Sequence, residues 1–159
     1  MAALDMPAAD DCRAALITGA GRGFCAGQDL AARALADQTP DLSASLEAHY
    51  NPLVRGIRAL RKPVICAVNG RVAGAGASIA LACHIVLAAR SAKFIPSSVR
   101  ISLIPDSGGT LFPPRFIGDA GARALMLLAE PLPAETSTEW ASSGRWWTAL
   151  SYSILIRGS

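Results

Sequence analysis

Charge is scarce in this chain. Asp, Glu, Lys and Arg make up 17% of the 159 residues, against about 25% in an average soluble domain. Aromatic residues contribute only 6% and the net charge is +3. With no Lys/Arg cluster and no interleaving of basic and aromatic residues, a nucleic-acid surface is excluded. A membrane-spanning helix is excluded too. The longest apolar stretch, Ala77 to Ala89, is interrupted by His84 and falls short of the ~20 residues a bilayer requires. The opening MAALDMPAADDCR carries early acids and no basic segment followed by an apolar one, so no secretory signal is visible. Cysteine is sparse as well: Cys12, Cys25, Cys66 and Cys83 have no metal-ligand spacing, and a chain of this length does not need disulfides. Free thiols, no metal and a cytoplasmic location are the expectations.

What is abundant is small and apolar. Hydrophobic residues reach 52%, above the usual ~45–50%, which predicts apolar surface covered by a partner subunit or by further chain. The length suits one domain with a real core, and no repeat of solenoid length is present.

The organising stretch is PVICAVNGRVAGAGASIALACHIVLAA, Pro63 to Ala89. Val64 to Val68 is a β-branched apolar run that reads as a buried strand. Asn69-Gly70 is turn chemistry. Gly74 and Gly76 precede Ala77 to Ala82, which favours helix. A glycine turn onto a helix start leaves backbone N–H groups without partners and lets a ligand approach the main chain closely.

A second unit lies upstream. Ala14 to Thr18 reads as a strand, followed by GAGRG, and Phe24 to Leu30 holds another exposed turn before a helix. After the polar loop Asp37 to Asp41, a longer helix is expected, with Thr39 as its cap and Pro40 at its first position. Leu42, Leu46, Tyr50, Leu53, Val54, Ile57 and Leu60 form its apolar stripe, and Pro63 ends it. Downstream, Ile85 to Ala89 reads as a strand. Ile101 to Ile104 leads into a turn, Asp106 to Thr110, onto a helix start that Pro113-Pro114 would break or bend. Asp119 to Glu130 is a further helix, with Leu125 and Leu128 on its apolar side. Strands alternating with helices predict an α/β layered fold. From Ala141 onward no helical or strand period is evident.

Two turns of this kind, one after Thr18 and one after Val68, can each offer a backbone N–H to a shared point. Two converging donors stabilise a developing oxyanion, each typically lowering the barrier by about 2.7–4 kcal/mol. The segments GRGFCAGQDL, YNPLVRGIRALRKPVICAVNG, VAGAGASIALA and LIPDSGGT together resemble the enoyl-CoA hydratase/isomerase (crotonase) family. The resemblance runs from about Asp11 to Trp140 and is nearest to the ring-epoxide isomerase branch serving phenylacetate catabolism. It implies a crotonase-like ββα spiral, incomplete here, in an enzyme that assembles as a trimer or hexamer and acts on acyl-CoA thioesters. Coenzyme A is then part of the substrate, and no separate cofactor is implied.

Carried over residue by residue, the two oxyanion-hole amides fall on Gln28 and Ala75. Ala26, Gly27, Asp29, Gly74 and Gly76 flank them as substrate-binding positions. The two catalytic glutamates of the hydratases align with Ser78 and Ser98, neither of which can act as a general base, so a water-adding hydratase is disfavoured. The isomerase branch keeps one acid in LIPD, here Asp106. A single carboxylate can remove a proton beside a thioester and return it elsewhere. On the residues alone, Asp106 before Ser-Gly-Gly reads first as a helix N-cap, and it is the resemblance that favours the catalytic role. His49, His84, Cys25 and Cys66 read as structural, and Arg22 as solvated.

A rival reading starts from Thr18-Gly19-Ala20-Gly21-Arg22-Gly23, nearly the nucleotide turn of short-chain dehydrogenases. Cys25 stands where the last glycine belongs, Phe24 fails the alternative GxGxxG pattern, and Val54 rather than Lys follows Tyr50 by four. A third reading is a non-catalytic fragment, because the family's usual segments before Ala14 and after Trp140 are not seen. Residues 1–140 are thus expected to form a partial crotonase-like domain and residues 141–159 a non-homologous tail. Dropping the first base from ordinary codons for Gly-Leu-Ile-Trp-Lys-Val-Val-Asp, the family-like continuation, yields Ala-Ser-Ser-Gly-Arg-Trp-Trp-Thr. Those residues stand at Ala141 to Thr148, so a single-base slip is the expected origin of the tail.

Overall fold

The computed structural model describes residues 12–29, 41–140 and 147–150. Two four-stranded sheets are built by a chain that steps from one to the other. The first contains β1 (Ala15–Thr18), β3 (Val64–Val68), β5 (Ile85–Ala89) and β8 (Trp147–Leu150), all parallel and in that spatial order. The second contains β2 (Gly23–Cys25), β4 (Arg71–Ala73) and β6 (Lys93–Ile95) in parallel, with β7 (Leu132–Pro133) antiparallel at its edge. β1, β3 and β5 are each followed by a short strand of the other sheet, and the next described element is then a helix or a 3₁₀ turn, which is the ββα spiral that the resemblance implied.

The sheet change happens at stacked turns. Asn69 spans both: its Oδ1 accepts from Gly19 N at 3.2 Å, and its Nδ2 donates to Gly21 O at 2.9 Å and Gly23 O at 3.3 Å. The two backbones are so close that a Cβ on Gly70 would collide with the Arg22 carbonyl. The Thr18–Gly23 turn therefore leads into strand β2, not into a helix, and this corrects the nucleotide-turn reading, which needs a helix N-terminus there.

The core lies between β3, β5 and the helices. Ile57, Val64, Cys66, Val72, Ala80 and Ala82 are all fully buried, and Phe94, Phe112 and Leu132 extend the cluster. Helix α3 (Ala75–Ala82) packs between α2 (Asn51–Ala59) and α4 (Phe112–Leu128). Its alanines let neighbouring backbones approach.

Several sequence expectations are corrected. Asp41, not Thr39, caps the second-unit helix α1 (Leu42–Ser45), its carboxylate accepting from Ala44 N at 3.0 Å; Thr39 and Pro40 lie outside the described residues. That helix is also not continuous. A π-helical turn, Leu46–Tyr50, joins α1 to α2. Pro52, at the start of α2, cannot donate to the carbonyl four residues back, and its ring crowds that carbonyl, so the chain widens there. The expected stripe survives, with Ile57 fully buried.

Pro113 and Pro114 do not break a helix; they open α4, in the first-turn positions where a missing N–H costs nothing. The break falls at Gly118 (φ 71°, ψ 167°) instead. Leu125 packs on the core as expected, whereas Leu128 is 65% exposed. Strand β8 was not expected. Its residues pair Val86 with Trp147 through Ala89 with Leu150, covering the outer edge of β5 and satisfying that strand's free backbone groups. Helix α5 (Ala134–Trp140) precedes it.

Candidate active site

Two backbone segments meet at the N-terminus of α3. Gly74, its cap residue, has φ 50° and ψ −129°, a combination that side-chain-bearing residues rarely adopt. Its N–H donates to Ile95 O at 3.1 Å, which fixes it against β6. Its carbonyl accepts from Ala77 N at 3.0 Å and Ser78 N at 3.4 Å, which starts the helix. Ala75 is then the first helical residue, and its N–H has no intrahelical acceptor.

Gly27 lies against this corner. With φ 90°, a Cβ there would stand 3.0 Å from Ala73 O and 3.6 Å from Ala75 N. The next residue, Gln28, is tied to α1 by its Nε2, which reaches Ser45 Oγ at 3.4 Å.

Across from both segments is the loop that carries Asp106. Ser107 and Gly108 take positive φ values of 53° and 88°, and Gly109 N donates to Asp106 O at 2.7 Å, closing a tight turn. The Asp106 carboxylate accepts from Ser107 Oγ at 2.9 Å and makes no ion pair among the described residues. Helix α4 starts only at Phe112, with Leu111 in the cap position. Asp106 therefore does not cap it, and the capping alternative is corrected by the distance along the chain.

Ala26, Gly27, Gln28, Gly74, Ala75 and Asp106 all line one cavity of about 60 Å³. Among the described residues, neither Asp29 nor Gly76 lines it. Gly76 instead packs α3 onto β2: a Cβ there would come within 2.7 Å of the Cys25 side chain. Ser97, Ile101 and Leu103 also line the cavity, and sequence reading missed them. They sit in a short loop and a 3₁₀ turn, Ser98–Ile101, with no periodic signal to mark them. On its other side Asp106 faces a wider cavity of about 380 Å³, shared with Gln28, Leu42, Leu46 and Leu103.

A third, mostly apolar cavity adjoins the first through Gly74 and Ser98. Leu81, Phe94, Phe116, Leu125, Met126 and Leu132 form its walls, and Ser78 lies among them. Both positions aligned with the hydratases' glutamates thus reach this cavity.

His84 and the Cys66–Cys83 pair lie in structural settings. His84 Nδ1 accepts from Val64 N at 3.1 Å, and burial, together with the nearby Arg58 charge, holds its pKa below the usual histidine value. All four cysteines are free. The neighbouring Cys83 thiol, together with burial, raises the Cys66 pKa. No cluster of His, Cys, Asp and Glu suited to a metal occurs among the described residues.

Residues 1–141 match the family described as enoyl-CoA hydratase/isomerase. The chain belongs to that family. Among relatives, it is 57% identical over 134 residues to the 1,2-epoxyphenylacetyl-CoA isomerase of Escherichia coli K12, an alignment covering 82% of this chain and 51% of that protein. It is 34% identical over 134 residues to the carnitinyl-CoA dehydratase of Proteus mirabilis, covering 84% and 50% respectively. Among solved structures, an enoyl-CoA hydratase from Bacillus anthracis superposes with a TM-score of 0.81 at 30% identity, covering 88% of this chain and 54% of that one. The chain therefore spans about half the length of the enoyl-CoA hydratase/isomerase relatives it matches. Among the described residues, no helix is long and apolar enough to cross a membrane.

Proposed function

We propose that this chain carries the enolate-forming centre of an acyl-CoA isomerase. The observation that supports it is the single cavity in which Gln28, Ala75 and Asp106 meet. In this reading a thioester carbonyl oxygen sits between the Gln28 and Ala75 N–H groups. Asp106 takes a proton from the carbon beside the thioester. The electron pair moves onto the carbonyl oxygen, where the two amides stabilise the charge. The protonated Asp106 then returns the proton at another carbon, and the double bond moves.

The acyl group in this reading is a ring-epoxide phenylacetyl or a linear enoyl thioester, in line with the isomerase relative. Coenzyme A enters as part of the substrate, with no metal and no separate cofactor, in a cytoplasmic enzyme that assembles as a trimer or hexamer. Ala26, Gly27 and Gly74 shape the thioester site, and Gly76 supports it by letting α3 pack onto β2. Serine at positions 78 and 98 leaves Asp106 as the one carboxylate of the proposed site, where the hydratases have two glutamates, which disfavours addition of water.

The test is exchange of the protons beside the thioester of an enoyl-CoA in D₂O, followed by NMR. The expected result is exchange in the parent chain and its loss in Asp106→Asn, with thioester binding retained. Undiminished exchange in that variant would refute the role of Asp106.

A further inference from the structure

Ser78 is 5% exposed, and its hydroxyl has no hydrogen-bond partner among the described residues. A buried polar group in that state needs an explanation, since such groups are nearly always paired. Its neighbours show what a structural serine does here. Ser137, on the wall of the same apolar cavity, returns its hydroxyl to the carbonyl four residues earlier, Pro133 O, at 2.9 Å. Thr138 does the same to Ala134 O at 2.9 Å. For Ser78 the carbonyl four residues earlier is Gly74 O, which accepts from Ala77 N and Ser78 N, and the Ser78 hydroxyl makes no bond to it.

Its position is close to the proposed chemistry. A Cβ on Gly109 would stand 2.9 Å from Ser78 Oγ, and Gly109 closes the turn that carries Asp106. Ser98 stands where the apolar cavity joins the thioester cavity, and its hydroxyl is likewise without a partner among the described residues. Two unused donors therefore line a cavity whose other walls are Leu81, Phe94, Phe116, Leu125 and Met126. A plain hydrocarbon occupant would leave the buried Ser78 hydroxyl unpaired in an apolar setting.

We infer that this cavity selects an acyl group carrying an acceptor oxygen on its ring or chain, with Ser78 as its principal donor and Ser98 as the second. The inference rests on the acyl-CoA reading above and assigns the two serines a specificity role.

Two thioesters matched in shape test it: tetrahydropyranylacetyl-CoA, with an ether oxygen in the ring, and cyclohexylacetyl-CoA, with a methylene in its place. Dissociation constants are measured on the full chain by calorimetry. The expected preference for the ether is about fivefold, the net value of one hydrogen bond. Ser78→Ala should bring the ratio close to one, and Ser98→Ala should reduce it. The melting temperature of Ser78→Ala should not fall, because no bond to the described residues is lost. Equal affinities in the parent chain, a ratio untouched by both substitutions, or a destabilised Ser78→Ala would each overturn the inference while leaving the thioester site standing. Failure of both thioesters to bind would remove the acyl-CoA reading and this inference with it.

Discussion

Replacing Gly74 by alanine separates backbone strain from packing. Its φ of 50° and ψ of −129° belong to a region where a side chain is strained by roughly 1–3 kcal/mol. Space is not the obstacle, since an added Cβ would meet Ser97 Oγ at 3.5 Å, an ordinary contact. The cost therefore comes from the dihedral angles alone. For a domain of this size, each kcal/mol lowers the melting temperature by about 2–4 °C, so Gly74→Ala should melt about 2–12 °C lower. If the chain relaxes to relieve the strain, the Ala75 N–H turns away from the cavity. Loss of one oxyanion donor would slow proton exchange about 10²–10³-fold. Gly118→Ala is the control: φ is also positive there, at 71°, but the residue interrupts α4 outside the thioester cavity. Calorimetry and exchange in D₂O should show both losses for Gly74→Ala and only the stability loss for Gly118→Ala. A Gly74→Ala chain with unchanged melting and unchanged exchange would refute the account of this corner.

Two further outcomes are expected. Because the fold lowers the pKa of His84, the unfolded chain binds its proton first as pH falls through about 6.5, and stability drops from there downward. His84→Asn keeps an acceptor facing Val64 N but cannot titrate, so its melting temperature should fall less between about pH 7.5 and about pH 5.5; equal falls would exclude His84 as the cause. The origin we propose for residues 141–159, a single-base slip after Trp140, predicts that the coding DNA holds family-like helix codons in another frame. Their absence from both other frames would end that proposal.

The parts of this fold that could be read from the sequence are those long enough to hold a pattern. β1, β3 and β5 are runs of four or five residues, all apolar except Thr18, and the α2 stripe repeats at helical spacing. β2, β4 and β6 have three residues each, too few for alternation, so the second sheet was invisible although it supports the site. β8 escaped because its pairing is set by the open edge of β5, a long-range condition. At the site, Gln28, Ala75 and Asp106 were found through glycine turns and resemblance. Ser97 and Leu103 had no such mark. Gly76 carried the same local signature as Gly74, but it lies inside α3 and packs against Cys25, whereas Gly74 caps the helix with a positive φ.

Asn69 reaches three backbone groups in the neighbouring turn. One side of that junction runs through β2 to Gln28, and the other through β4 to Ala75. That carboxamide and the β2–β4 pairing together tie two segments that are distant in the chain, so a displacement of one arm is passed to the other.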